Sequence, residues 1–376
     1  MPWKIPLFKI YWDESDVGNV SNCIKSGMYW AEGPNIQEFE TLIADYIGTK
    51  YCVTFNSGTS AQHAVLLAYG IKEGDEVIVP SFTFISTANS ALFVGAKPVF
   101  ADIEKETFGL DPESVLEKIS SKTRAIMPAH YGGCPCKIQE LREIADDYGL
   151  ILIEDAAEAF GAKINEKKIG SFGNASMLSF CQNKVITTGE GGAIVTDSKE
   201  IYQKLKLIRS HGREDNLQYF SSNNVSDYIA LGYNFRMSSL TAALGISQIR
   251  KVDTIINKRR ERASYFMNRL KSEVWNNVRV SEIPESYFNV YQLYTILANQ
   301  RDELKDYLAS RGIMTKIYFS PVHTTHFYQN VLGYKCKLPV TEELSRNALT
   351  LPMHPCLSFD EINCVVNEIK NFYGEN

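Results

Sequence analysis

The sequence predicts an α/β protein: a mostly parallel sheet covered by helices on both faces, followed by a smaller α+β unit. Two observations carry this. From about residue 50 to 200, short apolar runs alternate with segments of helical periodicity. Strands that are apolar throughout and separated by helices belong to parallel sheets buried on both faces. The chain also has 376 residues, more than one hydrophobic core ordinarily spans, so a second unit is expected.

The elements follow in order. Residues 1–25 form an N-terminal segment that packs on the C-terminal unit or on a partner subunit. In the large domain (26–250), "YCVTF" (51–55) reads as a strand. It runs into "SGTSAQHAVLLAYG", a helix whose start carries Ser57, Gly58, Thr59 and Ser60. Further strands are expected at "EVIVP" (76–80), "KPVFADI" (97–103), "TRAIMPAHY" (123–131) and "LILIED" (150–155), with helices such as "KIQELREIADDYG" (137–149) between them. Sheets of this kind bind ligands at the carboxyl ends of their strands. "PAHYGG", "IEDAAEAFGA" and "LSFCQNK" all stand where a strand ends, so three polar clusters fall on one rim. Residues 238–270 read as one long helix leading toward the C-terminal unit (251–376). There "FNVYQLYTILA" reads as a strand, "RDELKDYLASRG" as a helix and "MTKIYF" as another strand.

Composition excludes several classes. With 44% hydrophobic and 22% charged residues the chain has the balance of a soluble globular protein. A net charge of −5 argues against a nucleic-acid partner. The basic run "NKRRERA" (257–263) fits a solvated helix face. No stretch approaches the roughly 20 apolar residues of a membrane span. The opening "MPWKIPLFKIYWDESD" lacks the pattern of a signal peptide. Eight scattered cysteines suggest no disulfide framework, hence a reducing cytoplasm. Cys134 and Cys136 flank a proline with no second pair at zinc-site spacing, so no metal is expected.

Three features could carry chemistry. "NSGTS" puts hydroxyl residues and a glycine at a helix N-terminus, where free N–H groups and the helix dipole favour a phosphate; the same residues would also serve as a plain N-cap. Asp155 ends a buried apolar strand and needs a partner there. A cationic ring nitrogen would serve, and so would an N-capping role or a structural ion pair. Lys184 follows the strand-like "MLSF" and precedes "TTGEGG", whose glycines let backbone lie close to a ligand. A lysine in a dry pocket can attack a carbonyl. A phosphate cradle, an acid for a ring nitrogen and a lysine on one rim are what pyridoxal phosphate requires.

The sequence resembles the pyridoxal-phosphate-dependent nucleotide-sugar aminotransferases of the DegT/DnrJ/EryC1/StrS group nearly end to end. The likeness runs from "SGMYWAEGPNIQEFE" through "NSGTSAQHAVLLA", "GDEVIVPSFTFISTANS", "IEDAAEAFGA", "SFCQNKVITTGEGGAIVTD" and "LGYNFRMSSLTAALG" to "YFSPVH". It implies the type I fold, with a mostly parallel seven-stranded sheet in the large domain. It implies that Lys184 holds the cofactor and shuttles a proton, and that Asp155 pairs with the ring nitrogen. By the same likeness Glu158 lies near the ring's polar atoms, Phe84 stacks on the ring, and Gly58, Thr59 and Ser179 hold the phosphate. Asn234 reaches the phosphate of a neighbouring subunit, which implies a homodimer with the active site at the subunit interface. Trp30, within "SGMYWAEG", and Arg213, within "RSHGRED", line the nucleotide-sugar cleft, with Arg213 on the diphosphate. Tyr318 and His323 stand near the sugar; His323 would equally serve as a packed structural histidine. The implied reaction moves an amino group from L-glutamate to a nucleotide-linked keto-sugar, and "QNKVITTGEGG" is most similar to members acting at C4 of a 4-keto-6-deoxy sugar. Some members carry histidine where this chain has Lys184, and those resemble sugar 3-dehydratases. A non-catalytic regulator keeping the fold would be expected to lose Lys184 or Asp155; both are present.

Overall fold

The structure, a computed structural model, describes residues 3–214 and 227–374. Its centre is a seven-stranded sheet. The strands lie side by side in the order Tyr51–Phe55, Gly192–Thr196, Ala175–Ser179, Ile151–Asp155, Thr123–Ile126, Glu76–Pro80 and Lys97–Ala101. Gly192–Thr196 is antiparallel to both its neighbours, and the other pairs are parallel. Six strands therefore point their carboxyl ends to one rim.

Alternation along each strand divides the core. Cys52, Ile78, Ile126 and Leu152 face one layer, with helices Pro34–Ile47, Ile138–Asp147 and Ser239–Arg250. Val53, Val79, Ala125 and Ile153 face the other, with helices Gly58–Ala68, Ser86–Phe93 and Lys199–Arg209. Close packing imposes residue size. A Cβ at Gly245 would stand 2.4 Å from the ring of the fully buried Phe39, which itself packs on Phe180 at a centroid distance of 5.3 Å.

The C-terminal unit has a three-stranded antiparallel sheet, Val278–Arg279, Tyr294–Ala298 and Ala348–Leu351, backed by helices Arg301–Ser310 and Phe359–Tyr373. The start of the N-terminal segment meets it through Ile5, bridged to Ile313, and Leu7, whose carbonyl accepts from Met353 N at 3.1 Å. Helix Glu14–Lys25 packs instead on Ser239–Arg250 of the large domain, where Asp16 accepts from Ser247 and Gln248. Among the described residues no helix is long and apolar enough to cross a membrane.

Three expectations for local structure are corrected. The single helix over 238–270 is two, Ser239–Arg250 and Val252–Glu273. They break at Lys251, whose ammonium pairs with Asp16 at 2.6 Å and Asp13 at 2.8 Å. "MTKIYF" adds no strand; only Lys316 bridges, to Thr350. Beyond it the chain turns to the large sheet, where the Tyr318 carbonyl accepts from Tyr131 Oη and Val322 N donates to Ser81 O at 2.9 Å. In "FNVYQLYTILA" the long strand is only Tyr294–Ala298, because Val290 N and Leu293 N donate instead to the carbonyls of Gly133 (3.1 Å) and Gly132 (3.0 Å).

Candidate active site

A cleft of about 380 Å³ opens where the strands of the large sheet end, closed on one side by Lys316, Tyr318 and Phe319 of the C-terminal unit. That is an ordinary size for a small-molecule site. Its floor is built from chain reversals after successive strands.

At one end stands the N-terminus of helix Gly58–Ala68. Ser57 caps it and takes up the Ser60 N–H at 3.0 Å. Gly58 and Thr59 lie in the first turn, where N–H groups have no intrahelical acceptor and the dipole favours an anion. Ser179 ends its strand against this turn: a Cβ at Gly58 would stand 3.3 Å from Ser179 Oγ. Strand Gly192–Thr196 presses in from the side, and a Cβ at Gly192 would fall 2.6 Å from Gly58 N. Glycine at both positions thus lets the helix start, the neighbouring strand and a hydroxyl come close together without side chains between them.

Asp155 is buried at the middle of the floor. Its Oδ2 accepts from Gln62 Nε2 at 2.8 Å and Thr87 Oγ1 at 2.7 Å, and its Oδ1 from Ala157 N at 3.2 Å. Burial, the largest cause, raises its pKa above the ordinary carboxyl value; the bonds from Thr87 and Ala157 and the charge of Lys184 oppose this without cancelling it. These hydrogen-bond donors are all neutral. Oδ1, with one long bond, keeps accepting capacity for a cationic N–H.

Lys184 closes a turn through Lys184 N to Cys181 O at 3.0 Å. Its Nζ stands 3.4 Å from Glu158 Oε1, and Glu158 Oε2 accepts from Gly132 N at 2.8 Å. The loop is tied to the C-terminal unit by Gln292 Nε2, which donates to Asn183 O. Phe84 lines the cleft and is 58% exposed, so its side chain is available to a ligand ring.

The cleft therefore gathers Gly58, Thr59, Phe84, Asp155, Glu158, Ser179, Lys184 and Tyr318 of the expected residues. It does not gather the other four. His323 is buried behind the floor, with Nδ1 2.7 Å from Ser81 Oγ and Nε2 3.5 Å from Glu342. Trp30, Arg213 and Asn234 collect elsewhere, with one another's segments. Trp30 Nε1 donates to Ile24 O at 3.2 Å, Arg213 pairs with Glu32 at 3.1 Å, and exposed Asn234 bridges to Ser210. Asp215, the last residue of "RSHGRED", lies outside the described residues.

Sequence reasoning missed the residues that hold these groups. Gln62 and Thr87 lie inside the segments "NSGTSAQHAVLLA" and "GDEVIVPSFTFISTANS", where no role marks them; the available signal is that Gln62 lies one helical turn from Gly58 on the face that meets the sheet. His130 and Glu154 form a buried pair at 3.2 Å. Glu154 also accepts from Gly170 N, Phe172 N and Gly173 N at 2.9, 2.8 and 2.7 Å. Burial alone would raise its pKa, but His130 and the backbone donors lower it. His130 Nδ1 accepts from Cys136 N at 3.1 Å, so its proton sits on Nε2, toward Glu154.

A phosphate cradle, an under-satisfied buried acid and a primary amine in one cleft fit pyridoxal phosphate. Residues 11–370 match the DegT/DnrJ/EryC1/StrS aminotransferase family. The chain is 37% identical over 375 residues to the GDP-perosamine synthase of Vibrio cholerae, covering 98% of this chain and 99% of that one. It is 36% identical over 374 residues to the GDP-perosamine synthase of Escherichia coli O157:H7, covering 99% of each. Among solved structures, Helicobacter pylori PseC, an aminotransferase involved in the biosynthesis of pseudoaminic acid, superposes with a TM-score of 0.91 at 27% identity, covering 98% of this chain and 99% of that one.

Thr87→Val removes one of the two short bonds to Asp155. The cofactor-free protein should lose about 1.5–3 kcal/mol of stability at neutral pH. Losing a donor to the charged form raises the folded pKa further above its unfolded value. The deficit should then be present above the folded pKa and fade as pH falls toward the unfolded value. Urea unfolding at neutral and acidic pH reads this; a deficit of constant size would assign Thr87 to packing alone.

Proposed function

The chain belongs to the DegT/DnrJ/EryC1/StrS aminotransferase family, and from that premise we propose that it moves an amino group from L-glutamate to a nucleotide-linked 4-keto-6-deoxy sugar. The observation that carries this is the placing of the Lys184 amine in one cleft with the Asp155 carboxylate and the start of helix Gly58–Ala68. Bound pyridoxal phosphate supplies an electrophilic carbon and an electron sink. Gly58, Thr59 and Ser179 hold its phosphate. Asp155 keeps its ring nitrogen protonated, and Phe84 covers one ring face. Lys184 holds it covalently and later moves a proton at the reacting carbon, a task one flexible amine can serve in both half-reactions. Glu158 positions that amine. The GDP-linked sugar is the first to test, since two of the relatives named above, at 37% and 36% identity, are GDP-perosamine synthases.

A 3-dehydratase would carry histidine at position 184. A histidine cannot hold the cofactor covalently as a primary amine does, so lysine favours amino transfer.

The working unit is a homodimer with the active site at the subunit interface. Asn234 supports this: it is exposed and stands off its own chain's cleft, free to meet a partner's phosphate. Trp30, exposed in the same region, would then serve the nucleotide-sugar of the partner's cleft, with Arg213, buried against Glu32, holding that region from behind rather than meeting the diphosphate, while Tyr318 meets the sugar in its own. His323 supports that segment from behind through Ser81. The free state of all eight cysteines is in keeping with a cytoplasmic location.

Borohydride treatment of the yellow holoenzyme should fix the cofactor to the peptide carrying Lys184. Lys184→Ala should abolish turnover while leaving some cofactor bound; wild-type turnover in that variant would refute the assignment. The shared site has its own check. Lys184→Ala and Asn234→Ala chains, each poorly active alone, should regain activity when mixed, because one site of each mixed dimer is then intact. No regain would place Asn234 in its own chain's site.

A further inference from the structure

We infer that Lys316 is the residue that receives the carboxylate of the amino donor. The inference rests on the aminotransferase reading and adds a specificity-determining contact to it. Among the described residues, the ammonium groups lining the cleft are those of Lys184 and Lys316. Lys184 is committed to Glu158 at 3.4 Å. His130 is held as a donor to Glu154 and an acceptor from Cys136 N. Lys316, by contrast, has no carboxylate partner among the described residues; its Nζ stands 4.8 Å from the centre of the Tyr318 ring.

The backbone beneath it is fixed. Lys316 N donates to Thr350 O at 3.1 Å, and Lys316 O accepts from Thr350 N at 2.8 Å. The following residues are tied to the large sheet through the Tyr318 carbonyl and Tyr131 Oη. A long, solvated cation on an anchored backbone can swing over an aromatic face into the cleft, where a carboxylate would gain a charge-assisted hydrogen bond.

Both substrates are anionic, and geometry separates them. An amino acid must present its amine where Lys184 acts, so its carboxylates lie only a few bonds from that point. The diphosphate of a nucleotide-sugar is set back by the whole sugar ring. In a cleft of about 380 Å³ that also holds the cofactor, a small dicarboxylate fits beside Lys184, whereas a nucleotide would extend outward from it. Asp155, Glu158 and Glu190 line the same cleft, so a donor carboxylate entering without Lys316 would meet negative charge offset only by Lys184.

The test uses cofactor-loaded enzyme and its Lys316→Ala, Lys316→Gln and Lys316→Arg variants. Glutarate, an unreactive dicarboxylate, is titrated by calorimetry, and the two half-reactions are measured separately. Ala and Gln should weaken glutarate binding and raise KM for L-glutamate roughly tenfold. They should leave KM for the keto-sugar within about twofold, and Arg should restore most of the loss. A rise in KM for the nucleotide-sugar instead would make the diphosphate the anion and overturn the inference. No change in either would make Lys316 a solvated surface lysine and overturn it as well. Failure of the wild-type chain to take up pyridoxal phosphate would show before any titration, and would sink the aminotransferase reading together with the inference.

Discussion

The charge of Asp155 is the constraint on which the site depends. A carboxylate at the end of a buried strand is costly unless a cation or several donors satisfy it. Its neighbour shows what full satisfaction looks like. Glu154, on the opposite face of the same strand, takes three backbone N–H bonds and the His130 ring, and its pKa is lowered. Asp155 takes only the neutral donors of Gln62, Thr87 and Ala157, and its pKa is raised. Two adjacent acids are thus pushed in opposite directions by their surroundings. A protonated pyridine nitrogen at Oδ1 would complete what the protein leaves undone.

The rest of the fold serves to bring partners to that point. Six strands end on one rim because a single strand, Gly192–Thr196, runs against the others. Its glycine end and Gly58 let the start of a helix, a hydroxyl and the Lys184 turn come together without side chains between them. The C-terminal unit then supplies the other wall. Gln292 reaches Asn183 beside the lysine, and the segment through Lys316 and Tyr318 crosses to the large sheet. The cleft belongs to neither unit alone, so motion between them would change access to it.

Local order was legible in the sequence. "YCVTF" and "EVIVP" are strands at the residues expected, since their apolar runs are bounded by polar turns. Asp155, Ser179 and Lys184 could be placed on one rim because a parallel sheet puts strand ends together. What escaped depended on distant contacts. No glycine or proline announces the break at Lys251; Asp13 and Asp16 hold its side chain there. "MTKIYF" alternates like a strand, yet its later hydrogen bonds go to the large sheet. His323 could have been read as a ligand contact or a packed ring, and only Ser81 and Glu342 show its surroundings. Gln62 and Thr87 lie in recognisable segments, but an amide and a hydroxyl on a helix announce no partner; both end beside one carboxylate only in the folded chain.

The most direct measurement follows the nitrogen. Purified enzyme loaded with pyridoxal phosphate is given L-glutamate carrying an isotope-labelled amino group together with a panel of nucleotide-linked keto-sugars, and the products are read by mass spectrometry. Amino transfer predicts labelled nitrogen in an amino sugar, with one molecule of the keto acid formed for each. A sugar that loses a hydroxyl and gains no label, or a panel left unchanged by a fully loaded enzyme, would contradict it.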